Sequence, residues 1–206
     1  MEALKKIIPT LSIVAVSLAA AYAQDAVQQE AFTTSYTLEY NGEYQKAIDV
    51  IKKVYDEKSY ELNLRAGWLS YEAGLYIESQ QFYQKAISVN PNSIEAKLGY
   101  IYPAIALGNK DQVINQYTKI LEIDSQNATA NYQLGLYYYY KKDYKKGIKY
   151  FEKLVTISPS GYDALLMDAW TNLQLGKTIE AYELFNKVLL ISPNDKSALE
   201  GLGLIK

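Results

Sequence analysis

A period of 34 residues runs through the chain and decides what it can become. Pro91, Pro159 and Pro193 stand 68 and 34 residues apart, Gly67, Gly135 and Gly203 recur at intervals of 68, and Gly74, Gly108 and Gly176 at 34 and 68. Such self-similarity marks one supersecondary unit copied in series, each copy leaving an apolar face that only its neighbour can cover. Within residues 128–161, apolar positions recur at helical spacing on both sides of Lys142-Asp143, and Pro159 follows the second run, where a helix must stop. The unit therefore reads helix, turn, helix, turn.

Leu134-Gly135, Tyr138, Tyr144, Phe151 and Pro159 stand at the spacing of one known motif, and the unit closely resembles the tetratricopeptide repeat. Lys142 stands where that family's turn glycine is usual, and Gly147 where its second-helix alanine is usual. The resemblance implies an all-α fold, an α-solenoid of about five helix-turn-helix units at 28–59, 60–93, 94–127, 128–161 and 162–195, with a capping helix at 196–206. Turn residues align as Gly42, Gly74, Gly108, Lys142 and Gly176, and small second-helix positions as Ala47, Ser79, Val113, Gly147 and Ala181. Ile51, Tyr83, Tyr117, Phe151 and Phe185 follow four residues later as packing positions, and the cap carries Leu202-Gly203 at the matching place. Glycine at the eighth position lets the second helix of a unit approach the first.

Composition excludes much chemistry. The 206 residues include no cysteine and no histidine, but 21 tyrosines. Disulfides, thiol catalysis, Cys/His zinc sites and Ser-His-Asp triads are ruled out. A formal charge of −2 gives no footprint for nucleic acid, and Arg65 as the one arginine excludes a multi-arginine phosphate fork. No cofactor or metal is implied, and no enzyme activity is expected.

Residues 1–23 read as a secretory signal peptide. Lys5 and Lys6 precede a 15-residue, mostly apolar stretch, and Ala21-Tyr22-Ala23 supplies small residues at the cleavage positions. The mature domain is then 24–206, exported and expected in the bacterial periplasm. Membrane contact is expected only through an uncleaved leader.

Several residues depart from the pattern. Pro103 falls within the third unit's first helix, which predicts a kink or a wider opening there. Asp168 takes a position usually held by buried leucine, and its side chain is expected to reach solvent or a hydroxyl. Lys141, Lys142, Lys145, Lys146, Lys149 and Lys153 form a lysine-rich stretch, read as a solvated face. Glu61, Glu95 and Asp163 share the second position, where a carboxylate favours the helix dipole rather than forming a catalytic pair.

The resemblance also implies that first helices line a concave face through positions 5, 9 and 12 of each unit. Position 9 holds Tyr36, Trp68, Tyr102, Leu136 and Trp170, so both tryptophans share one row. Position 5 holds Phe32, Leu64, Leu98, Tyr132 and Leu166, and position 12 holds Glu39, Tyr71, Ile105, Tyr139 and Leu173. The lysine and asparagine with which some relatives clamp a terminal carboxylate are missing from positions 5 and 9. An aromatic row suits an apolar helix or extended segment. The expected function is a scaffold or adaptor that binds a protein or peptide segment through Phe32, Tyr36, Trp68, Tyr71, Tyr102, Tyr132, Tyr139 and Trp170. The alternative is an envelope glycan- or peptide-binding protein that uses Trp/Tyr stacking.

Overall fold

The computed structural model describes residues 24–205, and the expected leader lies outside them. The described chain is all-helical. Helix α1 covers 24–40, followed by α2 (Tyr44–Lys53), α3 (Tyr60–Glu72), α4 (Tyr76–Val89), α5 (Ile94–Ala106) and α6 (Lys110–Ile123). Then come α7 (Ala128–Tyr140), α8 (Tyr144–Ile157), α9 (Tyr162–Gln174), α10 (Thr178–Ile191) and α11 (Lys196–Leu204).

Local chemistry explains the punctuation. Side chains of Ser59, Ser93, Asn127 and Asp195 accept from the backbone N–H of Leu62, Ala96, Ala130 and Ala198, capping α3, α5, α7 and α11. The tight turn inside each pair needs one left-handed residue. Gly42, Gly74, Gly108 and Gly176 take φ of 73°, 75°, 72° and 74°, and Lys142 is forced to 59° at the same repeat position. A third device recurs at the fourth position. Asn63 Nδ2 donates to the carbonyls of Glu57 and Ser59, Asn131 Nδ2 to those of Ser125 and Asn127, and Lys97 Nζ to that of Pro91. Polar side chains thus satisfy buried carbonyls of the preceding turn.

The described chain divides into two compact units, one ending at Gly108 and the other beginning at Asn109. In the first, α3 packs on α4 of its own pair and on α5, the first helix of the next, and α2 packs on α3. Its core gathers Ala47, Ile48, Ile51, Leu62, Ala66, Leu69 and Phe82. In the second, α7 packs on α8 and α9, and α9 on α10 and α11. Leu165, Ala169, Ala181, Phe185, Val188 and Ala198 form one core there, and Phe151, Leu154 and Ala164 another. Helix α5 runs as one element from Ile94 to Ala106 with a buried Pro103 inside it.

Aromatic rings from second helices fill the space beside glycines. A Cβ at Gly67 would stand 3.0 Å from the Tyr83 ring, and one at Gly135 2.6 Å from Phe151, as the eighth-position reading requires. Gly203 corrects that reading for the cap, because nothing lies within 4 Å of a Cβ there. The glycine that matters is two residues earlier. A Cβ at Gly201 would meet Phe185 at 2.2 Å, and one at Gly99 would meet Tyr83 at 2.1 Å. Both sit at the sixth position and receive the ring of the preceding repeat.

Asp168 also departs from expectation. Its side chain is buried, not solvated, and its partner is an amide rather than a hydroxyl, with Asn172 Nδ2 donating to Oδ1 at 3.0 Å. Burial, with the charge of Glu152 second, pushes its pKa up to about 7 against the attraction of Lys177 and Lys187.

Candidate functional site

In the first unit, the first helices α1, α3 and α5 line an open groove of about 890 Å³. Positions 5 and 9 of these helices supply Phe32, Leu64 and Leu98, then Tyr36, Trp68 and Tyr102. Tyr36 and Tyr102 are 56% and 49% exposed, so the rings face solvent rather than fill a core. Tyr71 stands beside the row, its ring centroid 5.9 Å from Trp68 and 5.6 Å from Tyr102. Phe32 also packs on the apolar core behind it.

A charged cluster closes one wall. Glu39 Oε2 pairs with Arg65 Nη1 at 2.5 Å, while its Oε1 accepts the Trp68 indole N–H at 2.5 Å. Arg65 Nε donates to Ser35 Oγ at 2.9 Å, and the Tyr36 ring lies 3.8 Å from the guanidinium carbon. Arg65 is 6% exposed, and among the described residues its Nη2 finds no acceptor. The indole of Trp68 is therefore held in register by a carboxylate that is itself held by an arginine.

At the N-terminal end of α3 and α5, Glu61 and Glu95 complete the lining. Ser59 Oγ donates to Glu61 at 3.2 Å, and Tyr60 Oη to Glu95 at 3.1 Å. Tyr60 Oη also lies 2.5 Å from Ser93 Oγ, and partial burial raises its pKa above the usual phenol value. Burial does the same for Tyr83 at the groove floor, which stays a neutral phenol.

The remaining expected site residues belong to the second unit. Tyr132 meets Phe151 edge-on at 6.2 Å, and Tyr139 packs against the same cluster and against Tyr144 at 5.4 Å. Trp170 stands edge-on to Phe185 at 5.2 Å, and its indole N–H donates to Ser197 Oγ at 2.9 Å. These three rings share contacts with their unit's core. In the lysine-rich stretch, Lys141 lies over the Tyr137 ring at 4.6 Å, Lys146 over Tyr138 at 5.4 Å, and Lys146 pairs with Asp143 at 3.0 Å. Among the described residues, no group of three His, Cys, Asp or Glu side chains could hold a metal, and no helix is long and apolar enough to cross a membrane.

The sequence profile of the tetratricopeptide repeat matches residues 60–93 and 128–160. Those two stretches carry the tetratricopeptide repeat pattern. A TPR repeat-containing protein of Methanocaldococcus jannaschii is 25% identical over 63% of this chain, which spans 30% of that relative's length. A tetratricopeptide repeat protein from Parabacteroides merdae shares the fold with a TM-score of 0.71 at 22% identity, over 85% of this chain and 71% of its own. YrrB, a TPR protein with an unusual peptide-binding site, aligns with a TM-score of 0.65 at 16% identity, over 84% of this chain and 91% of its own. Both solved structures share the fold of this chain's helix pairs.

The charged cluster was missed by sequence reasoning. Arg65 carried one available signal, as the only arginine in the chain. Glu39 stood on the twelfth-position row but among apolar neighbours.

Proposed function

We propose that this protein is an exported, non-enzymatic adaptor that holds a segment of a partner protein in the aromatic groove of its first unit. One observation carries the reading. Three successive first helices present Phe32, Tyr36, Leu64, Trp68, Leu98 and Tyr102 to one groove, with Tyr36 and Tyr102 about half exposed. Contiguous apolar surface of this kind is rare on a soluble protein unless it is used, and aromatic anchors dominate interface energetics. The tie from Glu39 to Trp68 fixes the central ring before any partner arrives, which lowers the ordering cost of binding. The unusual peptide-binding site of YrrB, which shares the fold, supports the same use of it.

Selection from a random dodecapeptide display library tests it. The purified protein enriches peptides above a blank surface, and Trp68→Ala loses their capture while Trp170→Ala keeps it. Equal capture by wild type and Trp68→Ala would sink the groove reading. Export rests on the leader, residues 1–23. Terminal sequencing of the protein from the periplasmic fraction should begin at Gln24. An intact Met1 on the protein from that fraction contradicts cleavage.

A further inference from the structure

We infer that the groove of the first unit selects a partner segment that is both apolar and cationic, seated by a main-chain carbonyl on Arg65. This rests on the groove reading above and names the chemistry of its occupant.

The groove lining carries three carboxylates, Glu39, Glu61 and Glu95, against one cation, Arg65. Glu39 and Arg65 neutralise each other across 2.5 Å. Glu61 and Glu95 are exposed, each accepts from a hydroxyl, and among the described residues neither carries an ion pair. The free charge of the groove is negative, at the end where α3 and α5 begin. A lysine or arginine of the partner pairs there, while apolar side chains on either side of it lie against Trp68 and Tyr102.

The second observation is the unsatisfied donor. Arg65 is buried, lines the groove, and holds Nη2 without an acceptor among the described residues. A buried donor left unpaired calls for an oxygen. A carboxylate is disfavoured, because Nη1 already holds Glu39 and an incoming anion would face Glu61 and Glu95 as well. A neutral peptide carbonyl answers the need without that repulsion. The Tyr36 ring covers the guanidinium at 3.8 Å and is 56% exposed, and seating the carbonyl requires it to turn aside.

The selected peptides decide it. Their enriched sequences should pair Lys or Arg with apolar neighbours. Titration of one such peptide into Glu61→Gln/Glu95→Gln should show binding weakened about tenfold or more, with Glu200→Gln unchanged as the control. The Arg65 Nε–Hε signal is unambiguous in a nitrogen-15 spectrum, since the chain has one arginine. It should shift as that peptide is added to the wild type. Enriched peptides that are acidic or uncharged, yet still need Trp68, overturn this inference and leave the groove reading standing. So does full affinity in the Gln double variant, and an unmoved Arg65 signal overturns the carbonyl contact. No enrichment above the blank surface removes the groove reading itself.

Discussion

The Tyr83 ring occupies the space that a side chain on Gly99 would need, with Cε1 2.1 Å from where its Cβ would stand. Tyr83 belongs to the second helix of one repeat and Gly99 to the first helix of the next, so this contact locks successive repeats together. Gly99→Ala should destabilise the protein by about 1–3 kcal/mol through overpacking. Gly203→Ala, within α11, meets nothing within 4 Å and should be neutral or stabilising by up to about 1 kcal/mol. Urea unfolding of the two variants checks the contrast. Equal midpoints would remove the steric account.

Lys142 takes the turn position that glycine holds in the other pairs, at φ 59°. A left-handed backbone costs an L-residue roughly 1–2 kcal/mol, partly offset by the larger unfolded-state entropy of glycine. Lys142→Gly should therefore gain about 0.5–1 kcal/mol. Thermal unfolding measures it, and a loss of stability would contradict the strain argument.

The period made the helix pairs and their turns legible because both depend on residues near in sequence. Lys142 could be placed in the turn by alignment alone. Gly99 was harder. It stands two residues before the eighth position, and the ring it receives comes from the preceding repeat. The Glu39 tie to Trp68 spans 29 residues, and that of Ser35 to Arg65 spans 30. Neither follows from a period, since each joins first helices of different repeats through residues present once. The aromatic rows were visible in the sequence, but not which rings pack on a core. Trp170 follows the same row as Trp68 yet stands edge-on to Phe185.

Asp168 gives the chain a pH-dependent term. Burial raises its folded pKa to about 7 from an ordinary 3.8. The folded state therefore retains a proton that the unfolded state releases, and stability is lost as pH rises from about 4 to about 7. Asp168→Asn keeps an acceptor for Asn172 and removes that loss. It should match wild type near pH 4 and exceed it by about 2 kcal/mol at pH 8, allowing for partial solvent screening. Unfolding midpoints across this range check the sign. A constant difference at every pH would rule out the titration.

The groove claim meets its most direct test at Tyr102, which is 49% exposed, lines the groove, and takes no part in the hydrogen bond between Glu39 and Trp68. A peptide enriched by the wild type should be titrated calorimetrically into Tyr102→Ala. The predicted result is affinity weakened about tenfold or more with an unchanged thermal midpoint. Unchanged affinity in Tyr102→Ala would contradict the account.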